Sequence, residues 1–249
     1  MELLVKNWKC IEEARIDLNT ITVLMGRNSA GKSALAYAPY FFAKLMEIKT
    51  LEEIPAILNN PPFFASNLDD LVRKDECRTY YPLVVQVNGS GFEYNNGKII
   101  IKQNKIWDGA ELLSSGRLYL HRLINKTSES DGTIDYDLIR KTFETCRDNS
   151  LIIIEEPEIH KHPLLIINLV KYIIKKALEK NLTVIMTTHS DILFHAIVKA
   201  VEMKEIESSK VSVYYLIRNR WCEVKEIKVY DDGTFDVLPD ISDVISKLF

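Results

Sequence analysis

The chain has 249 residues, with 32 Lys plus Arg against 35 Asp plus Glu and a formal net charge of −3. Hydrophobic residues make up 47% and charged residues 27%, a balance that excludes a disordered or fibrous chain and fits a soluble globular one. The small negative charge excludes an all-round basic nucleic-acid binder but not a local basic patch, and no apolar run reaches the ~18 residues a membrane span needs.

In chain order, Glu2–Val5, Ala14–Leu18 and the apolar run Ile21–Met25 read as strands. The last meets Gly26 and then a helix-compatible stretch from Lys32 to about Lys49. Residues 51–76 carry mixed helical pieces broken at Pro61-Pro62. Thr79–Val87, Phe92–Tyr94 and Ile99–Gln103 are β-rich, and the turns Asn88-Gly89 and Asn96-Gly97 between them predict an antiparallel meander. Helical periodicity returns over Ser114–Ile124 and Tyr136–Arg147, on either side of the polar connector Asn125–Gly132. The second half alternates: strand Leu151–Ile154, helix Pro163–Leu178, strand Leu182–Met186, helix Asp191–Met203. Strands Val211–Ile217 and Trp221–Val229 and a short helix, Ile241–Leu248, complete it. Alternating apolar strands and helices predict an α/β fold, a mainly parallel sheet flanked by helices, with an antiparallel β-rich lobe. No composition shift marks a boundary, so one domain is expected over 1–249, with a β-rich and helical insertion at about 51–110. Four scattered cysteines, Cys10, Cys77, Cys146 and Cys222, form no CxxC pair; with no export pattern at the N-terminus they point to a reducing cytoplasm.

The strongest chemical signal is Gly26-Arg27-Asn28-Ser29-Ala30-Gly31-Lys32-Ser33, which matches GxxxxGK[ST] between an apolar strand and a helix in a chain with only nine glycines. Backbone N–H groups of such a loop and the positive end of the helix make an anion cradle. Lys32 reaches β- and γ-phosphates, and the Ser33 hydroxyl ligates Mg²⁺. Leu151–Ile154 runs into Glu155-Glu156-Pro157-Glu158, which brings carboxylates to the sheet edge where such a loop also sits. Glu155 is placed to hold Mg²⁺, directly or through water, and Glu156 to accept a proton from an attacking water. A third strand ends in Thr187-Thr188-His189-Ser190, where His189 can donate to a γ-phosphate oxygen, or Ser190 can simply cap the next helix; the two are compatible.

The ordered set GRNSAGKS, LSSGR at Leu113–Arg117, LIIIEEPEIHKHP at Leu151–Pro163 and TTHS at Thr187–Ser190 resembles the ABC-class P-loop ATPases, more narrowly their RecF/SMC/OLD-type branch. Leu3-Leu4-Val5-Lys6-Asn7-Trp8-Lys9 is also similar to that branch's opening strand. The resemblance implies ATP and Mg²⁺ as cofactors, Lys32 and Ser33 as the Walker A pair, Glu156 as the catalytic carboxylate and His189 as the switch histidine. Ser114, Ser115 and Gly116 would be a signature loop, on a helix of about 114–124, closing over the γ-phosphate of a second copy. The Walker B to C-terminal part would span 151–249.

Some residues depart from that pattern. Glu155 stands where Asp is commoner, Ser115 where transporters place Gly, and Arg117 where Gln or Glu is frequent. No glutamine falls in a metal-sensing context; Gln86 and Gln103 lie in predicted strands. Trp8 admits adenine stacking, with core packing the preferred reading. His160 and His162 are spaced like a metal pair, but in this context no transition metal is assigned. Lys171, Lys175, Lys176 and Lys180 on one helical face, and Lys98, Lys102 and Lys105 on the lobe, admit DNA contact; a solvated face is preferred for the helix.

The expected function is Mg²⁺-dependent ATP hydrolysis by an ATP-sandwiched homodimer, in DNA repair or anti-phage defence, with no membrane partner. The alternative is a nucleotide-gated module with little hydrolysis that recruits DNA or a separate nuclease chain. A transporter subunit is disfavoured by the missing glutamine and the EEPE form. An SMC machine with long arms is disfavoured because only 80 positions separate Ser33 from Leu113.

Overall fold

The apolar strand that ends at Gly26 is the centre of the molecule in the computed structural model, which describes residues 1–76, 78–102, 104–114 and 131–239. Two sheets organise the described residues. Strands β1 (Glu2–Trp8), β2 (Ile11–Asp17), β4 (Leu83–Val87), β5 (Ser90–Asn95) and β6 (Lys98–Lys102) form an antiparallel sheet in the order β2-β1-β4-β5-β6. The second sheet has the order β11-β10-β3-β9-β8-β7, from β3 (Ile21–Met25), β7 (Ala110–Leu113), β8 (Leu151–Glu155), β9 (Thr183–Thr187), β10 (Val211–Arg218) and β11 (Cys222–Glu226). Its pairs are parallel except β10 with β11.

The meander does not stand apart: β4 pairs with β1, Leu3 opposite Val87 and Val5 opposite Val85, so the expected lobe continues the N-terminal hairpin. Strand β4 begins at Leu83 rather than Thr79 because Pro82 has no N–H to give a ladder. Strand β7 has no expected counterpart. Its four residues are too few to show a period, and it becomes a strand by pairing Leu113 with Ile154 on β8.

Period-two alternation divides the parallel sheet between two cores. Ile21, Val23 and Met25, Ile152 and Ile154, and Val184 and Met186 face one side, while Leu24, Leu151, Ile153 and Ile185 face the other. The first side is covered by α3 (Asp131–Thr145), α4 (Pro163–Glu179) and α5 (Asp191–Glu202). The buried stripe of α4, Ile166, Leu169, Val170, Ile173, Ile174 and Ala177, recurs at helical spacing. The other side holds α1 (Lys32–Leu45), which lies between the sheets beside the short α2 (Ile54–Leu58). Helix α1 stops short of Lys49, and a capping box from Thr50 to Glu53 starts the next turn.

Trp8 is fully buried, its Nε1–H donates to the Ala34 carbonyl at 2.8 Å, and its ring packs 5.8 Å from Phe41 and 6.4 Å from Phe63. It is a core residue and does not meet a base. The lysines of α4 are engaged by the chain itself: Lys171 with Glu205 at 2.9 Å, Lys176 with Glu179 at 2.7 Å, and Lys180 donating to the carbonyls of Glu144 and Cys146. Among the described residues no helix is long and apolar enough to cross a membrane. The expected helix at 114–124 beyond its first residue, that at 241–248, and residues Cys77, Gln103, Ser115, Gly116 and Arg117 lie outside the described residues.

Candidate functional site

Because β3, β7, β8 and β9 run parallel, their C-terminal ends meet along one edge of the sheet, the place where open α/β sheets hold ligands. Met25 delivers the loop 26–33 there, Glu155 and Glu156 leave β8 there, Thr187 leads to His189 there, and Leu113 delivers Ser114.

The loop's backbone is set by residues that can hold it. Gly26 has φ +134°, and a Cβ at that position would lie 2.3 Å from the Leu216 carbonyl oxygen. Ser29 (φ 62°) and Gly31 (φ 105°) are also left-handed, and Gly31 caps α1. The Arg218 guanidinium donates to the Ser29 carbonyl at 3.0 Å and ties the loop to the end of β10. Lys32 is buried, and its ammonium donates to the carbonyls of Gly26 at 2.8 Å and Arg27 at 3.0 Å. Burial lowers the Lys32 pKa, opposed by the negative charges of Glu156, Glu158 and Glu155. That cation, held by loop carbonyls among carboxylates, fits an anionic ligand.

Glu155 is buried opposite Thr187 in the β8–β9 register. Glu156 leaves the strand with φ 44°, a sparsely populated conformation held by its N–H donating to the Thr187 carbonyl at 2.9 Å. Its carboxylate lies 3.4 Å from Nδ1 of His189. Ser190 does cap α5, accepting from the Leu193 N–H at 3.4 Å, so the capping turn and the placement of His189 coexist. His162 is likewise a helix cap: its Nδ1 accepts from the Leu164 N–H at 3.3 Å at the start of α4.

Three further residues at this edge have no role assigned to them by the sequence alone. Glu158 is buried, and its Oε1 accepts from the Thr188 hydroxyl at 2.6 Å and the His189 N–H at 3.3 Å, anchoring the turn that carries His189; its Oε2 has no hydrogen-bond partner. Tyr37, one turn after Ser33 on α1, hydrogen-bonds with both Glu155 and Ser33, and burial first, then the Glu155 charge, raises its pKa. Trp221, in the turn between β10 and β11, is half-buried and lines the same cavity as Glu156. The i, i+4 spacing of Ser33 and Tyr37 was a readable signal, and Glu158 stood in the acidic run, but its partners, like the placement of Trp221, follow from contacts between distant segments.

A cavity of about 500 Å³ brings the pieces together, lined by the loop from Asn28 to Ser33, by Glu156, and by Lys9, Cys10, Lys74, Arg218 and Trp221. Ser114 is buried at the end of β7, three strands from β3 in sheet order. At about 4.8 Å per strand, roughly 14 Å separates it from the strand that carries the loop. Ser33 and Glu155 offer one hydroxyl and one carboxylate, hard oxygen donors suited to Mg²⁺ completed by phosphate and water oxygens.

Comparison with known proteins agrees with this architecture. Residues 133–194 match the model of an AAA ATPase domain. Among solved structures the chain is similar to that titled "Crystal structure of the SmcHead bound to the C-winged helix domain of ScpA", at 12% identity and TM-score 0.51, with 92% of this chain and 98% of that chain covered. It is also similar to an SMC head domain from Thermotoga maritima, at 12% identity, TM-score 0.47 and the same coverage. No curated protein matches. The chain therefore shares the fold of the ScpA-bound SMC head, a parallel sheet joined to an antiparallel one, and carries over residues 133–194 a match to an AAA ATPase domain.

Proposed function

We propose that the chain is a Mg²⁺-dependent ATP hydrolase whose active form is a dimer with ATP between two copies. The observation that carries this reading is the single cavity lined by both the anion loop with Lys32 and Ser33 and the carboxylate Glu156. A triphosphate seated on the backbone N–H groups of 28–33 would bring its γ-phosphate toward Lys32 and the end of β8. Lys32 would exchange its neutral loop-carbonyl partners for negatively charged phosphate oxygens, a stronger partner for a buried cation. Ser33 and Glu155 would hold Mg²⁺, which when bound supplies neutralisation of the phosphoryl charge.

In this reading Glu156 orients the attacking water in line with the β–γ bond and takes its proton. His189, held by Glu158 and Thr188, donates to the charge that develops on the transferred group. Trp221 and Lys74, which also line the cavity, would meet the nucleoside. The distance of Ser114 from its own loop supports a role for Ser114, Ser115 and Gly116 on the nucleotide of a second copy. Hydrolysis would then release the dimer, making the output a conformational cycle. DNA maintenance or defence is the setting that the branch suggests, with DNA or a nuclease chain as the partner to assay.

Glu156→Gln tests the proposal. The variant is expected to bind ATP and accumulate as a dimer by light scattering, with phosphate release reduced by on the order of 10²–10⁴-fold. Release at the wild-type rate would overturn the assignment.

A further inference from the structure

Two thiols from distant parts of the chain meet beneath the phosphate loop. Cys10 sits in the turn between β1 and β2, and Cys222 begins β11; the Cys222 N–H donates to the Cys10 carbonyl at 3.1 Å. A Cβ built on Gly31 would lie 3.0 Å from each sulfur, so both flank one point and lie within twice that distance of each other. Cys222 is buried, while Cys10 is half-buried and lines the phosphate cavity.

We propose that Cys10 and Cys222 are an oxidisable thiol pair, with a hydroperoxide as oxidant, and that their disulfide disables the phosphate loop. The electrostatics favour electron chemistry over metal binding. The thiol hydrogen bond from Cys222 first, then the positive charges of Arg218 and Lys9, hold Cys10 below the usual thiol range, and the same hydrogen bond together with burial pushes Cys222 up. Those two cations also repel a metal ion, and among the described residues no group of three His, Cys, Asp or Glu is placed to hold one. An accessible thiolate beside a protonated resolving thiol is the arrangement that peroxide-sensing cysteines share.

The steps balance. The Cys10 thiolate attacks one oxygen of the hydroperoxide, the O–O bond breaks, and Cys10 becomes a sulfenic acid as the other oxygen leaves and takes a proton. The Cys222 sulfur then attacks the sulfenic sulfur; its proton leaves with the departing hydroxide as water. Two thiols are oxidised to one disulfide, and the peroxide is reduced. Bonded sulfurs sit about 2.05 Å apart, so closure draws together the two atoms on which Gly31 rests and ties the β1–β2 turn to β11. The effect on the loop rests on the nucleotide reading above; the thiol chemistry does not.

The test uses the full chain treated with hydrogen peroxide, followed by peptide mapping and by ATP and tripolyphosphate binding before and after dithiothreitol. The expected result is a cross-linked peptide pair containing Cys10 and Cys222, absent in Cys10→Ser, with Cys222→Ser instead trapping a dimedone-reactive Cys10. Both ligands should bind on the order of tenfold more weakly after oxidation, a factor equivalent to about 1.4 kcal/mol, and recover with reductant. Oxidation confined to Cys77 or Cys146, or Cys10 passing to sulfinic acid without a cross-link, would overturn the pair. A cross-link with unchanged affinity would overturn its coupling to the loop. Failure of the reduced protein to bind either ligand would instead defeat the nucleotide reading, and the cross-link would still decide the thiol chemistry.

Discussion

The Glu156 carboxylate and the His189 ring face each other at 3.4 Å, two residues 33 positions apart that the parallel pairing of β8 and β9 brings to one edge. Glu158 holds the His189 backbone there by accepting from its N–H. His189 is therefore fixed by its backbone, while its side chain, about half exposed, rests against Glu156.

Replacing His189 by Ala should leave the turn intact, because the anchoring contacts use its N–H and the Thr188 hydroxyl. Phosphate release should fall by on the order of 10²-fold, the usual cost of losing one donor to a developing charge, with ATP binding retained. Turnover equal to that of the wild type would remove His189 from the mechanism.

Tyr37 joins the two proposed metal ligands through its hydroxyl. Tyr37→Phe keeps the buried ring and removes only that link. Half-saturation by Mg²⁺, titrated in an ATP-binding assay, should rise roughly tenfold, as loss of groups that orient metal ligands generally does. Nucleotide affinity in excess chelator should stay the same, which separates this from a packing defect.

Trp221 on the cavity wall is held by Arg73, whose guanidinium lies 4.4 Å from the indole centroid and 3.8 Å from the Tyr80 ring. Trp221→Ala should weaken ATP by on the order of tenfold, within the range of single base–aromatic stacks, and leave tripolyphosphate binding unchanged. Equal losses for both ligands would place Trp221 in the scaffold and not at the base.

Lys32 makes a prediction about pH. Burial lowers its folded pKa below the usual 10.5, so between those values the unfolded chain binds more protons than the folded one. Stability in the absence of ligand should therefore rise as pH increases through that window, and Lys32→Met should lack this part of the rise. Parallel melting curves of the two proteins from pH 8 upward, differenced to cancel the other lysines, measure it. A saturating polyphosphate should shrink the difference by giving the ammonium a negatively charged partner.

The sequence by itself determined the parts whose chemistry demands adjacent residues. A phosphate loop needs its glycines, Lys32 and Ser33 at fixed spacing along a few bonds, and Glu155 and Glu156 follow a run of four apolar residues because a buried strand must end before charge appears. Short apolar runs and the 3.6-residue pattern likewise placed β3, β8, β9, α4 and α5 to within a residue or two. Only the tertiary structure decided what lies across gaps in the chain. Strand β7 exists because β8 offers it a ladder, and Trp8 is enclosed because α1 and Phe63 close over it. Glu158, Tyr37, Trp221 and the Cys10–Cys222 pair acquire their partners from segments tens to hundreds of positions away or from a neighbouring strand. A linear pattern records the period of one element, whereas these contacts depend on how separate elements pack, and packing is set by the whole core at once.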